Sequence, residues 1–123
     1  MTKKILIVED DEFYRKIYKK KFEVAGFEVD VAVNGEEGIA KMKSFMPDLV
    51  FMDLMMPKMD GFTAIDTAKA DSTIKDIPIV VLTNLSTSDD AEKVKGSGAV
   101  DVIVKSNVDP QEVVDKAKEI LQK

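Results

Sequence analysis

The chain has 123 residues with 45% hydrophobic and 33% charged side chains, a mixture typical of one compact globular domain, and we expect residues 1–123 to form that domain. Its formal charge of −5 argues against general attraction to nucleic acid or anionic lipid, and the absence of Cys and His excludes disulfides, thiolate nucleophiles and imidazole chemistry. No apolar run approaches the roughly 18 residues of a membrane span, so we expect a cytoplasmic protein without membrane insertion.

Short apolar runs of strand length alternate with amphipathic stretches of helix length, and no linker, repeat or low-complexity segment separates them. The pattern predicts strands at residues 4–8, 27–33, 49–53, 77–83 and 100–105. It predicts helices near residues 12–25, 35–45, 62–70, 87–96 and 110–121. Asn34 and Asp109 stand where N-caps are expected, the latter ahead of Pro110, and Gly26 and Gly98 stand where helices should end.

This alternation predicts a three-layer, doubly wound α/β domain with a flavodoxin-like sheet. Right-handed crossovers between successive strands give five parallel strands, for which the order 2-1-3-4-5 is the commonest solution. Strands 1 and 3 are then neighbours, and the crevice at their carboxyl ends is where such sheets bind ligands. We therefore expect the functional residues to follow strands 1, 3, 4 and 5.

Acidic residues stand at the ends of strands 1 and 3. Glu9, Asp10, Asp11 and Glu12 follow the first strand, and Asp53 ends the third. Two carboxylates about 4 Å apart repel by roughly 4 kcal/mol at an effective dielectric constant of 20, so this cluster should hold protons or a cation. Ligands that are all oxygens favour a hard ion, and Mg²⁺ is the expected cofactor. For Asp11, capping of the first helix is favoured over metal binding.

A hydroxyl and an ammonium group reach the same edge of the predicted sheet. Strand 4 ends in Thr83 and Asn84, and strand 5 ends in Lys105. Singly, each residue fits an ordinary strand or surface role. Together with Asp53 they complete a set for phosphoryl transfer to a carboxylate, which needs an acid nucleophile, a metal site, a hydroxyl donor and a cationic phosphate ligand.

One basic stretch lies in the first predicted helix. Its spacing places the cationic side chains in a stripe, which is typical of a solvated face more often than of a docking surface. The stripe consists of Arg15, Lys16, Lys19, Lys20 and Lys21.

At the strand ends the sequence resembles the receiver domain of two-component response regulators, and the resemblance covers essentially the whole chain. It implies a signalling switch rather than a separate enzyme, with a histidine kinase or a histidine phosphotransfer protein as phosphodonor. A downstream protein is its target, and direct binding to nucleic acid is not expected. The motif residues that carry the resemblance are Glu9, Asp10, Asp53, Pro57, Gly61, Thr83 and Lys105.

The resemblance also implies roles for individual residues. Asp53 is the phosphoacceptor and a metal ligand. Asp10 binds Mg²⁺ directly, Glu9 binds it through water, and the main-chain carbonyl of Met55 completes the protein ligands. The phosphate-binding and switch residues are Thr83, Asn84 and Lys105. Pro57 and Gly61 shape the loop after Asp53, with a positive φ expected at Gly61.

Two positions depart from the common receiver pattern, both on the expected output surface. Val102 stands where the family usually has an aromatic residue, so no rotating ring is available to couple to Thr83. Ser106 follows Lys105 where the family usually has Pro, so no proline isomer constrains that bond. Readout is therefore expected through the loop after Thr83 and the face of helix 4, strand 5 and helix 5.

Other functions compete with this interpretation. A phosphatase with an aspartyl nucleophile would normally carry a second acid two residues after Asp53, where Met55 stands. A flavodoxin needs a Gly- and hydroxyl-rich loop after strand 1, where this chain is acidic and repels phosphate. An interaction module that is not phosphorylated stays open as an alternative, as does the receiver part of a longer transcription factor.

Overall fold

The computed structural model describes residues 2–84 and 88–122, and within them five strands alternate with five α-helices. The elements are β1 (Lys4–Val8), α1 (Glu12–Val24), β2 (Glu28–Ala32), α2 (Gly35–Phe45), β3 (Leu49–Met52), α3 (Gly61–Lys69), β4 (Ile79–Thr83), α4 (Ser88–Lys95), β5 (Asp101–Val104), a short 3-10 helix (Lys105–Asn107) and α5 (Pro110–Leu121). In those residues no helix is both long enough and apolar enough to span a membrane.

The strands form one parallel sheet in the order β2-β1-β3-β4-β5, which confirms the predicted topology. In the register of β1 with β3, Val8 lies opposite Met52, so both strands end at the same level. The chain reverses its direction of winding between β1 and β3. The residues that follow these two strands therefore line one crevice at the carboxyl edge of the sheet.

Helices cover both faces of the sheet because the strand residues alternate between two apolar cores. Leu6 and Val8 point to a core that includes Ile39 of α2 and Ile65 of α3. Ile5 and Ile7 point to the opposite core, which the α1 and α5 side chains cover: Tyr18, Phe22, Val113, Val114 and Ala117. Complete burial of such side chains contributes about 1.5–3 kcal/mol each, so the central strands hold the crevice rigidly.

Local signals at the helix ends operate as the sequence predicts. The side chain of Asn34 accepts a hydrogen bond from the Glu37 N–H at 2.8 Å, and Asp109 accepts one from the Glu112 N–H at 3.0 Å. Gly26 and Gly98 follow helices with φ of +97° and +100°, a region that suits glycine.

The predicted boundaries of β1, α2 and α5 agree with the observed ones, and the other described boundaries differ by at most two residues. β4 begins at Ile79 rather than at residue 77, after Pro78, which has no N–H for the sheet. Lys105 was predicted to end β5, but it begins the 3-10 helix that turns the chain away from the sheet. The predicted start of α4 at residue 87 lies outside the described residues.

Candidate functional site

Three buried charged side chains meet at the carboxyl edge of the sheet. Glu9 follows β1, Asp53 follows β3 and Lys105 follows β5, and their exposed fractions are 2%, 7% and 7%. The Lys105 Nζ donates a hydrogen bond to Asp53 Oδ2 at 3.0 Å and another to Glu9 Oε1. Residues 96 positions apart in the chain are thus joined by the strand order that places β1, β3, β4 and β5 side by side.

The charges of this group do not balance, since one ammonium faces two carboxylates. The pKa of Glu9 is raised from 4.5 to about 7, chiefly because burial disfavours the charged form; the hydrogen bond from Lys105 opposes this rise and the nearby Asp53 charge adds to it. For Lys105, burial disfavours the cation, but hydrogen bonds to Glu9 and Asp53 outweigh it and raise its pKa. Lys105 therefore stays charged, while Glu9 holds a proton more readily than an exposed glutamate.

The Asp53 carboxylate is held in one orientation. Its Oδ1 accepts hydrogen bonds from the Leu54 N–H at 2.7 Å and from the Met55 N–H at 3.4 Å, while Oδ2 faces Lys105. The Asp53 N–H donates to the Val8 carbonyl at 3.0 Å, which ties the residue to the end of β1. The acid is thereby fixed within the cluster before any ligand arrives.

Asp10 completes an acidic group that fits a hard cation. Carboxylate oxygens of Glu9, Asp10 and Asp53 all lie within 4.8 Å of one another, and Asp10 is exposed to solvent. One or two carboxylates with remaining positions for water are the usual environment of Mg²⁺ in proteins. The donor set therefore suits Mg²⁺, with Asp10 reachable from solvent and Glu9 engaged by Lys105. The Met55 side chain is 79% exposed, and the ligand role of its carbonyl stays a prediction.

The loop between β1 and α1 is fixed by two residues of the first helical turns. Asp11 caps the helix, accepting a hydrogen bond from the Phe13 N–H at 2.9 Å, as favoured from the sequence. Arg15 donates from Nη1 to the Glu9 and Asp10 carbonyls at 2.9 and 3.1 Å, so it braces the backbone that carries both acids. From the sequence Arg15 was expected only in a solvated stripe, because the direction of a helical side chain depends on the rotation of the helix.

Other members of that stripe behave as solvated residues. Lys16 pairs with Glu12 at 2.7 Å and Lys19 pairs with Glu23 at 3.1 Å, each one turn apart on the same helix. Such exposed pairs contribute little to stability, about 0.3–0.5 kcal/mol each.

The prediction of a positive φ at Gly61, in the loop after Asp53, is wrong. Among the described glycines, positive φ occurs at Gly26 and Gly98, not at Gly61. A Cβ at Gly61 would lie 2.4 Å from the Asp53 carbonyl oxygen and 2.8 Å from the Leu54 Cα. Glycine is needed there because α3 begins against the backbone that follows β3, an approach that no short-range sequence pattern reveals. The left-handed residue of this loop is Lys58, with φ of 66°.

The predicted switch residues lie at the ends of β4 and β5. Thr83 is buried, with an exposed fraction of 2%. The Asn84 Oδ1 accepts a hydrogen bond from the Ser106 N–H at 3.0 Å, so the two strand ends are joined beside Lys105. Val102 is half-buried and packs against the core that contains Val81 and Val94. No described peptide bond is cis, including the one before Ser106.

The fold and the site define a doubly wound α/β domain with two buried acids, one exposed acid and a buried lysine at the carboxyl edge of its parallel sheet. The family model of the response regulator receiver domain matches residues 5–118. This chain belongs to that family. Members of the family act as signalling switches, and the family assignment confirms the resemblance seen in the motifs.

Relatives in other organisms support this family assignment. The DNA-binding dual master transcriptional regulator RpaA of Synechocystis sp. is 35% identical over 120 residues, covering 98% of this chain and 49% of RpaA. The response regulator PleD of Caulobacter vibrioides is 35% identical over 105 residues, covering 85% of this chain and 23% of PleD. The chain spans about half the length of RpaA and of the similar transcriptional regulators of algal species.

Solved structures show the same fold. The chemotaxis response regulator CheY4 of Vibrio cholerae is 28% identical and superposes with a TM-score of 0.88, over 98% of this chain and 99% of that one. A CheY-like receiver domain protein of Methanospirillum hungatei is 28% identical with a TM-score of 0.89, over 99% and 95% of the two chains.

Proposed function

We propose that this chain accepts a phosphoryl group on Asp53 with the help of Mg²⁺ and then changes the surface it offers to a partner protein. The observation that carries the proposal is the buried contact of Lys105 with Asp53 and Glu9, with Asp10 beside them. A buried ammonium next to a fixed carboxylate is a ready ligand for a phosphoryl oxygen on that carboxylate. Residues 1–123 are proposed to form one receiver domain, and a cytoplasmic location stays a prediction.

The phosphodonor is proposed to be a phosphorylated histidine of a kinase or a phosphotransfer protein, because the family matched by residues 5–118 receives signals in this way. With the second ring nitrogen of the phosphohistidine protonated, one carboxylate oxygen of Asp53 attacks phosphorus and the phosphorus–nitrogen bond breaks. The electron pair stays on the nitrogen that carried the phosphoryl group, so the donor ring leaves as neutral imidazole. Lys105 and Thr83 bind the phosphoryl oxygens as charge transfers. Bound Mg²⁺, held by Asp10, Asp53 and Glu9, would supply further positive charge for those oxygens.

The protein is proposed to catalyse only its own phosphorylation and dephosphorylation. The alternative, an interaction module without phosphorylation, would have the same fold, and its acid cluster would not accept a phosphoryl group. The printed name of RpaA supports a transcriptional output for a longer protein that contains such a domain. A receiver that acts on a partner protein and a receiver within a longer transcriptional regulator would both require phosphorylation at Asp53, whereas the interaction module would not.

Intact-mass measurement after incubation with acetyl phosphate and Mg²⁺ tests the proposal. Wild type should gain one phosphoryl group, and Asp53→Asn should gain none, because an amide is a very poor nucleophile of nearly the same shape. Asp66→Asn, on the exposed side of α3, serves as the matched control and should react like wild type. Failure of wild type to react, or continued labelling of Asp53→Asn, would contradict the proposal.

A Mg²⁺ titration tests the metal assignment separately. Asp10→Ala should remove most of the binding, because it deletes the solvent-accessible carboxylate of the cluster while Asp53 stays. Asp66→Ala should bind like wild type. Equal affinity of wild type and Asp10→Ala, measured by calorimetry, would remove Asp10 from the proposed ligands.

A further inference from the structure

An aromatic ring lies against the lysine of the site. The Lys105 Nζ stands over the ring of Tyr14, 4.5 Å from its centroid. An ammonium has three N–H donors, and two of these are used by Glu9 and Asp53. The electron-rich ring face takes the remaining side of the cation, a cation–π contact that gains strength when, as here, the lysine is buried.

The Tyr14 ring is itself fixed. It stacks on Tyr18 with 5.9 Å between centroids and 16° between planes, and Tyr18 is buried with an exposed fraction of 3%. Phe13 makes a T-shaped contact with the Tyr14 ring, with 5.7 Å between centroids and 74° between planes. Tyr14 is therefore anchored to the core through Tyr18 and forms a rigid platform for the ammonium.

We infer that Tyr14 is a positioning residue for Lys105. Its ring holds the Lys105 ammonium in the site when the contacts of that ammonium with Asp53 and Glu9 weaken. This inference rests on the proposed function. Once Asp53 carries a phosphoryl group, the carboxylate oxygen that faced Lys105 becomes part of an acyl phosphate and loses its charge. Glu9 belongs to the same proposed cation site and is drawn to the metal. The neutral ring has no competing partner, so the Lys105 ammonium stays where a phosphoryl oxygen can reach it.

Variants at position 14 separate the ring face from the hydroxyl and from side-chain bulk. Tyr14→Phe keeps the ring face and should be phosphorylated by acetyl phosphate within about twofold of the wild-type rate. Tyr14→Leu keeps apolar bulk without a π system, and the rate should fall about threefold or more, the range expected for loss of one cation–π contact. Urea titrations of each variant show whether the fold is retained.

A second pair of proteins keeps the test decisive even if Tyr14→Leu unfolds. Phenylalanine and pentafluorophenylalanine at position 14 have nearly the same shape, but fluorination reverses the sign of charge on the ring face. The fluorinated protein should react about threefold or more slowly than the phenylalanine protein. In the metal-free proteins, the Lys105 ε-CH₂ proton shifts give a structural readout. They should be moved upfield by the ring current in wild type and Tyr14→Phe, and return towards exposed-lysine values in Tyr14→Leu.

Each outcome assigns a cause. If wild type is not phosphorylated at all, the proposed function fails. If wild type reacts, Tyr14→Leu reacts as fast as wild type, and the fluorinated protein reacts as fast as the phenylalanine protein, the positioning role is overturned while the proposed function stands. If Tyr14→Phe loses as much rate as Tyr14→Leu, the hydroxyl rather than the ring face is responsible, which also overturns the inference.

Discussion

At the scale of single residues, the site is governed by a charge imbalance that the fold enforces. Glu9 and Asp53 are buried beside one ammonium, and exposure to water cannot relieve the excess negative charge. Before a cation binds, the group reduces that charge by keeping a proton on Glu9, whose pKa lies near 7. Binding of Mg²⁺ and release of this proton are thus expected to be linked.

The first prediction concerns pH and the metal-free protein. Between pH about 4.5 and about 7 the folded state keeps a Glu9 proton that the unfolded chain has released, so this group's contribution to stability falls as pH rises through that range. The free energy of unfolding should fall by about 1–3 kcal/mol more in wild type than in Glu9→Gln. Urea titrations at a series of pH values measure the difference, in which titrations common to both proteins cancel.

Glu36→Gln, an exposed site in the first turn of α2, is the control and should follow the wild-type curve. An identical pH dependence in wild type and Glu9→Gln would mean that the Glu9 carboxylate titrates at its ordinary value. A rise in wild-type stability relative to Glu9→Gln over the same range would give the opposite sign and refute the proposed desolvation.

The second prediction concerns the glycine at the start of α3. Gly61→Ala places a Cβ against backbone atoms of Asp53 and Leu54, which must move to accept it. We expect a loss of about 1–3 kcal/mol in unfolding free energy and a slower phosphorylation, because the displaced backbone carries the nucleophile. Gly96→Ala is matched in chemistry but meets no atom closer than 3.9 Å, and should change stability by less than about 0.5 kcal/mol. Equal effects of the two substitutions would contradict the steric account.

At the scale of elements, side chains cover the open backbone edge of strand β2. Glu28 donates its N–H to the Lys3 carbonyl and Ala32 accepts from the Glu9 N–H, so these alternate residues face β1. Val31 is out of phase with these residues, so its own N–H and C=O point to the open edge of the sheet. An uncovered pair of this kind is a template for pairing with another chain.

A salt-bridged pair satisfies both of these groups. Asp30 Oδ1 accepts from the Val31 N–H at 2.8 Å, and Lys41 Nζ of α2 donates to the Val31 carbonyl at 2.5 Å and pairs with Asp30 at 3.0 Å. The last strand of the sheet carries a similar arrangement, in which Asp101 accepts from the Val102 N–H and pairs with Lys116 at 2.9 Å. Both edges of the sheet thus carry an aspartate held by a lysine of the following helix.

The third prediction follows for β2. The double variant Asp30→Ala, Lys41→Ala uncovers the Val31 backbone, so self-association should increase with concentration relative to wild type in sedimentation experiments. The variant Lys43→Ala, Asp71→Ala removes another surface ion pair, 3.2 Å long, without uncovering a strand, and should sediment like wild type. Equal association of the two double variants would assign the effect to lost charge rather than to the open edge.

Much of this architecture was predictable because buried strands and capped helices have local signals. The run that ends at Asp53 is apolar and buried on both faces, and a charged residue at the end of such a run stands out. The reason predicted for Gly61, a positive φ, was wrong, because glycine is required there by backbone that the crossover brings close to it. The roles of Tyr14 and Arg15 depend on how α1 is rotated over the sheet, which a sequence pattern fixes only coarsely.

At the scale of the whole molecule, the site and the proposed output surface meet where β4 and β5 end. Thr83 is buried at the end of β4, and the next residue, Asn84, accepts a hydrogen bond from the Ser106 backbone at 3.0 Å. Residues 85–87 of the predicted switch loop lie outside the described residues. Beyond them, Val94 of α4 is buried in the core against which Val102 of β5 packs. A shift at Thr83 therefore has two physical routes to the face of α4, β5 and α5.

The last prediction tests that coupling with beryllofluoride, a stable mimic of the phosphoryl group. A phosphoryl oxygen offers the Thr83 hydroxyl a charged acceptor, and a hydrogen bond worth about 1.5–3 kcal/mol shifts a two-state segment by about tenfold or more. Amide NMR shifts should therefore change over residues 92–105 in wild type and much less in Thr83→Ala, although Asp53 is still modified. Thr67→Ala, whose hydroxyl donates to the Thr63 carbonyl of its own helix, should respond like wild type.

The same experiment separates the two routes, because Asn84→Ala removes the hydrogen bond to the Ser106 N–H. Changes that persist around Val94 but vanish around Val102 in that variant would assign the β5 response to the Asn84 bond. If Thr83→Ala and wild type change alike, the hydroxyl is not the trigger. If wild type binds beryllofluoride without any change over residues 92–105, Val102 cannot substitute for an aromatic switch, and the domain would signal through the altered charge at Asp53 itself.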